Sequence, residues 1–451
     1  MAISANVANV AEAVITPPIG VEMIEPRGVP STAVHDDLYV RAISLGDGRT
    51  TVCVVTMDLL GLDADLLERV RSAVEQQTGL ARERLMLTAS HNHSAPLTIP
   101  YDVTVQPRRD RDWEAQLVAR IADTVAQAQT AMVPVSLAVG RTDVQVGLNR
   151  RLSTLTGTTM APNPAGPVAP WVDILRVDRS ADAPLALLYS HAAHPVTVHS
   201  TGTEFTADYP GAAALTIRSA LGAGVTPLFA QGCAADINVE PLRGGFAEAE
   251  RAGRMLGEAA VAAASRAYGI AGETIRIASE TTHLDFELMS ADVCRAVMQR
   301  LRESYSTVQA GGADDRILDQ QKNALAWARK MLEYARDPQP PAGLPFQVQA
   351  FALGRDLALV GLSHEPFVEY QLFLQQESPF PHTMVFGYTN GCESYVPTAD
   401  ACYLEGYEAY GAQRLYGVPR LQPGCEQRVK QTSLQLLSEL WRRAESDSDR
   451  P

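Results

Sequence analysis

Five of the nine histidines in this 451-residue chain fall in two short segments. In residues 85–96, Leu-Met-Leu-Thr-Ala-Ser-His-Asn-His-Ser-Ala-Pro, an apolar run read as a buried strand delivers His91 and His93 into a Ser/Pro turn. Positions i and i+2 of an extended chain point the same way, so both imidazoles face one site at the strand end. The second segment holds His191, His194 and His199 and also follows an apolar run, residues 184–189. Neutral imidazole is the commonest protein metal ligand and the usual proton carrier near neutral pH. Two such clusters at strand ends point to a metallohydrolase. One of His191 and His194 is expected to face the site, and Pro195 fixes the turn beyond His194 as suits a strand-end ligand. His191 and His199 read as supporting groups, and His35, His283 and His382 as ordinary histidines.

Two carboxylates join the list of candidates. Glu365 directly follows the apolar run 357–362, where it is either a metal ligand or a cap for the helix that follows. Asp236 ends a turn of small residues, 231–238, which either lets the backbone approach a ligand closely or is an ordinary tight turn. Other metal signatures are absent: no HExxH occurs, and no Asp-His pair follows His93 as in metallo-β-lactamase-like sites. The βα repeat of a TIM barrel is missing too.

The elements that must position these groups read as a mixed α/β core. Strands are expected at 51–57, 85–89, 174–177, 186–189, 226–232, 348–353 and 357–362, and helices at about 66–79, 112–132, 246–267 and 426–445. Residues 14–20 read as a Pro-rich turn. Residues 152–170, rich in Thr, Gly and Pro, read as a long surface loop or lid. The charged segment 291–336, broken at Gly311-Gly312, reads as an inserted helical hairpin and a candidate homo-oligomer contact.

The net charge of −14 argues against a nucleic-acid partner and against docking on anionic membranes. No apolar run reaches the ~18–20 residues that span a bilayer, and no basic, apolar leader opens the chain, so a cytoplasmic protein is expected. The six cysteines form no CxxC pair; reduced thiols are expected, with Cys392 and Cys402 the pair close enough in sequence to bridge.

Taken in order, these segments resemble the neutral/alkaline, non-lysosomal ceramidase family, in particular its shorter bacterial members. That family's TxTHxHS-Gly-Pro segment is matched by residues 88–96, its Asn-Arg pair by Asn149-Arg150, and its second histidine segment by Ala192-Ala193-His194-Pro195. Its Gly-Asp-(Val/Ile) turn is similar to Ala235-Asp236-Ile237, and its Gly-Glu segment to His364-Glu365-Pro366. Tyr395 and Tyr407 reproduce a pair of functional tyrosines 12 positions apart. Six short motifs in one order cover nearly the whole chain.

The resemblance implies one α/β domain over residues 1–451, with mixed sheets packed together, outer helices and the helical hairpin inserted at about 291–336. It implies one zinc ion per chain, held by His91, His194, Glu365 and Tyr395 and activating a water molecule. His93 would move the proton, Arg150 and Tyr407 would stabilise the oxyanion, and Asn149, Asp236 and Asn238 would contact substrate. The implied activity is hydrolysis of a linear amide, with ceramide-like N-acyl compounds as the family's reference substrate; the acidic chain, with no targeting signal or lipid-facing helix read in it, favours a small soluble substrate over membrane ceramide. A lactonase or esterase on the same zinc site, and a non-catalytic binding protein on the same scaffold, are the alternatives. Asn238 stands where the ceramidases carry a Ser once proposed as nucleophile, which excludes a serine acyl-enzyme there. His364 replaces the Gly before the ligand carboxylate and is expected to support the ligand or contact substrate. The ceramidases' C-terminal β-sandwich and secretion signal find no match in these residues.

Overall fold

Three five-stranded sheets form the body of the protein in the computed structural model, which describes residues 6–99, 109–155, 157–179, 184–272 and 274–448. Each sheet carries at one edge a pair of parallel strands joined through a helix, and antiparallel strands elsewhere. In the first sheet the pair is Thr51–Met57 and Leu85–Ala89, connected through the helix Ala64–Thr78. That helix starts and stops for local reasons. The Asp63 carboxylate accepts from the Leu66 N–H at 2.8 Å, and Gly79, at a φ of 69°, turns the chain out of the helix. In the second sheet Pro184–His191 pairs with Thr226–Gln231 across the helix Asp208–Leu221. In the third, Leu357–Leu362 pairs with His382–Phe386 across Val368–Glu377.

Apolar faces of the sheets meet in a shared core, with Ile43, Val54 and Met86 from the first, Leu175, Leu188 and Leu228 from the second, and Phe351, Leu359 and Met384 from the third. Helices cover the outer faces. Leu66, Val70, Trp113, Leu117 and Ile121 pack on Val40, Val55 and Leu87 of the first sheet. The helices Asp208–Leu221 and Phe246–Ser265 approach closely: a Cβ on Gly253 would stand 2.5 Å from the Tyr209 carbonyl oxygen. This is the mixed α/β architecture, with packed sheets and outer helices, expected from the sequence.

Several elements differ from expectation. Residues 152–170 are largely a β-hairpin, Gly147–Thr154 against Gly157–Asn163. Its Thr residues favour strand over loop, and Gly157 supplies the left-handed turn at a φ of 127°. The strand Val7–Val14 extends into the segment read as a turn, and the long strand Ile275–Glu287 and the helix Asp208–Leu221 were not anticipated. Ile275–Glu287 is half exposed and polar, so it lacks the apolar run that marks a buried strand. The hairpin Ala291–Ala310 and Asp315–Arg336 forms as expected, and it leans on the C-terminal region: the Trp327 indole N–H donates to the Val418 carbonyl at 2.9 Å. All six cysteines are free; Cys402 lies beside Cys425, while Cys392 faces the Tyr416 hydroxyl.

Candidate metal centre

Each sheet delivers one group to a common point beyond the carboxyl ends of its parallel strands, the usual place for a ligand in such sheets. His91 follows the strand Leu85–Ala89, His194 follows Pro184–His191, and Glu365 follows Leu357–Leu362. The edges are stitched together there by Gln231. Its side-chain amide donates to the Ser90 carbonyl at 2.9 Å and the Ala193 carbonyl at 2.8 Å, while the main-chain carbonyl of Gln231 accepts from the Gly387 N–H at 3.0 Å.

All three groups are buried. His91 Nδ1 lies 2.7 Å from the Leu60 carbonyl and His194 Nδ1 lies 2.6 Å from the Ala234 carbonyl. A carbonyl can only accept, so each Nδ1 carries the proton and each Nε2 presents a lone pair. Both lone pairs converge on Glu365 Oε2, at 3.2 Å from His91 Nε2 and 3.4 Å from His194 Nε2. Three electron-rich atoms thus face one another in a dry interior, an arrangement that a cation stabilises. The spacing also fits: tetrahedral ligands at the ~2.0–2.1 Å of zinc–nitrogen and zinc–oxygen bonds stand about 3.4 Å apart. Burial and the Arg150 charge push the His194 imidazole down to about 3, so the ring is neutral near pH 7.

His93 belongs to the same cluster: ligand nitrogens of His91, His93 and His194 lie within 4.8 Å of one another. Unlike the other two rings it is tied to no carbonyl, and neither of its nitrogens makes a hydrogen bond among the described residues. Burial and the neighbouring His91 push its pKa well down. The His93 ring is thus positioned without being locked.

A second group of side chains closes the site. Arg150, on the strand Gly147–Thr154, is buried and donates once from each nitrogen: Nε to Glu408 at 2.8 Å, Nη1 to Asn238 Oδ1 at 2.8 Å and Nη2 to the Tyr395 hydroxyl at 3.1 Å. Tyr395 is the parallel-bridge partner of Glu365, which places it at the same point. Burial and the Glu365 charge raise the Tyr395 phenol well above its usual value, opposed by Arg150. Tyr407 meets Tyr395 edge-on with ring centroids 5.9 Å apart, and burial raises it to about 12, again opposed by Arg150.

Some predicted contacts are engaged elsewhere. Asn149 donates to Asp236 at 2.8 Å and to the Pro167 carbonyl at 3.2 Å, and accepts from the Arg151 N–H at 2.9 Å. Asp236 also accepts from the Val368 N–H at 2.9 Å, so Asp236, not Glu365, caps the helix Val368–Glu377. Both are buried brackets between the hairpin and that helix. His364 is a bracket as well: Nε2 donates to the Pro345 carbonyl at 2.7 Å and Nδ1 accepts from the Glu393 N–H at 3.0 Å. Asn238 bridges the backbone of His194 and turns its Oδ1 to Arg150. Three participants were missed on sequence: Gln231, Glu408, which pairs with Arg150 and Arg151, and Tyr416, whose hydroxyl donates to Glu365 Oε1. Glu408 had a signal in its place beside Tyr407. Tyr416 had none.

No family model and no curated protein matches the chain. Solved structures do. The neutral ceramidase of Pseudomonas aeruginosa superposes with a TM-score of 0.71 at 18% identity, over 97% of this chain and 75% of that one. A ceramidase complexed with C2 superposes with a TM-score of 0.72 at 17% identity, with the same coverage. The chain has the neutral-ceramidase fold. At this identity the likeness to ceramidase carries the architecture, and the roles of individual side chains rest on their geometry.

Proposed function

We propose that the protein is a zinc-dependent hydrolase that cleaves a linear amide bond in a small soluble substrate, with one zinc per chain held by His91, His194, Glu365 and Tyr395. The observation that carries this reading is the convergence of two imidazole lone pairs and a carboxylate oxygen, 3.2 and 3.4 Å apart, beside an untethered histidine and a buried guanidinium. The likeness to solved ceramidases supports an amide as the scissile group. When bound, zinc supplies a Lewis acid that polarises the carbonyl and makes water acidic enough to attack near neutral pH.

The side chains account for the rest. His93 carries a proton from the attacking water to the leaving amine, which its free ring nitrogens allow. Tyr407 and Arg150 hold the oxygen that becomes negative as the carbonyl turns tetrahedral. Glu408 and Asn238 grip Arg150, and Asn149 and Asp236 hold the hairpin that carries it. A small soluble substrate is favoured over a bilayer lipid because no helix among the described residues is long and apolar enough to cross a membrane and the chain is strongly acidic.

Metal content, measured by mass spectrometry on protein purified without chelator, tests the reading. The expected result is about one zinc per chain in wild type, lost in His194→Ala and retained in His93→Ala with turnover of amides abolished. Loss of zinc in His93→Ala would make His93 a ligand instead of the proton carrier. No metal in wild type after zinc is supplied would overturn the hydrolase. Turnover of lactones or esters but no amide would move the activity to that class.

A further inference from the structure

Beyond His93 the site is bordered by His199 and Arg243. The His199 ring stands 5.3 Å from the His93 ring, centroid to centroid, and Arg243 Nη2 lies 3.2 Å from His199 Nε2. An Arg nitrogen can only donate, so His199 accepts, and the pair sets a guanidinium one ring beyond the proposed proton carrier. Burial and the Arg243 and Arg27 charges push His199 down to about 4, so it adds no charge of its own. Arg27 bonds Glu25 at 3.1 Å, and Glu25 meets the Ser200 hydroxyl at 3.4 Å, next to His199. Among the described residues the guanidiniums of Arg27 and Arg243 both act on the Glu25 carboxylate.

Ser200 and Arg243 both sit in the left-handed backbone region, at φ of 57° and 58°, which non-glycine residues seldom adopt and which concentrates at ligand sites. Arg243 is exposed, and a guanidinium has five N–H donors, so the contact with His199 does not exhaust it.

We propose that Arg27 and Arg243, spaced by His199, bind a carboxylate of the substrate, so that the substrates are N-acyl compounds carrying a free carboxylate, of which N-acyl amino acids are the simplest. The inference rests on the amide-hydrolase reading of the centre. Arginine forks recognise carboxylates with two parallel bonds, and such contacts are roughly twice as strong as neutral ones.

The test compares an N-acylglycine with the N-acylethanolamine of the same acyl chain, which has the same amide and a hydroxyl in place of the carboxylate. The readout is the ratio of their kcat/KM values on the zinc-loaded protein. A charge-assisted contact predicts a ratio above about 10 in wild type, falling about 10-fold in R27Q and in R243Q and partly restored in R27K and R243K. A ratio near one in wild type, or one unmoved by both substitutions, overturns the rim. If neither amide is cleaved, the amidase reading fails and calorimetry judges the rim by itself. Binding of N-acylglycine that R27Q weakens, with no binding of N-acylethanolamine, upholds it; no difference between the two compounds overturns it.

Discussion

Replacing Tyr416 with Phe removes one buried oxygen and leaves the ring that fills the space. In wild type that oxygen donates to Glu365 Oε1, and it lies 3.7 Å from Cys392 Sγ. Glu365 is fully buried, so no water replaces the lost donor. A hydrogen bond to a charged group contributes about 1.5–3 kcal/mol, and about 1.4 kcal/mol is tenfold in an equilibrium constant. If the bond acts mainly by aiming the carboxylate at the metal, zinc affinity falls about 10–100-fold, the usual effect of losing a group that orients a ligand. The bond also exists in the metal-free protein, so any part of the energy not seen in affinity appears as lost stability there. Both are measurable: affinity by competition with a chromophoric chelator, stability by urea unfolding of the metal-free protein. Tyr388→Phe is the control. The Tyr388 ring stacks on His91 at 4.3 Å, but its buried hydroxyl makes no hydrogen bond among the described residues. Its removal is expected to leave metal-free stability unchanged or higher by about 1 kcal/mol. Tyr416→Phe with zinc affinity within about twofold of wild type and stability within about 0.5 kcal/mol would refute the orienting role.

Further outcomes follow from the same geometry. Gln231→Leu leaves the Ser90 carbonyl without its donor, while the Ala193 carbonyl keeps the Tyr209 hydroxyl, so it should lower unfolding stability by about 1–3 kcal/mol; a loss under about 0.5 kcal/mol would mean that the first and second sheet edges are not joined through this side chain. Burial would raise the Asp173 carboxyl, but the contact with His382 at 3.3 Å and the Arg141 charge outweigh it and hold it below its usual value. Its stabilisation is therefore present above the unfolded pKa of about 3.9 and is lost as pH falls through the lower folded value. Urea unfolding of Asp173→Asn should accordingly differ most from wild type between pH 5 and 7 and converge with it on acidification, and a constant difference would contradict this sign. Trp327→Ala should cost about 3–5 kcal/mol, because the indole is buried, bonds Val418 and packs on the Tyr410 and Arg414 side chains of the turn that follows Tyr407; little change would mean that the hairpin is a separate unit.

What could be read from the chain alone was local. An apolar run ending in His-x-His shows a strand and the direction in which its histidines leave it, because side-chain direction on a strand repeats every two residues. The same holds for the run before His194 and for Glu365 at the end of its strand. The helical hairpin was legible from its charge pattern and its Gly-Gly break. Partnership was not legible. Glu365 read equally as ligand or helix cap, and only the packed protein assigns the cap to Asp236, whose carboxylate meets the Val368 N–H. Tyr416 reaches Glu365 across 51 residues and Gln231 reaches Ser90 across 141, and nothing in either neighbourhood marks them. The Thr-rich hairpin looked like a loop because its strands face solvent and carry no apolar alternation. Backbone periodicity sets where a strand ends and which way a side chain leaves it, whereas which ends converge depends on burial of three sheets against one another, a property of the whole chain that no segment contains.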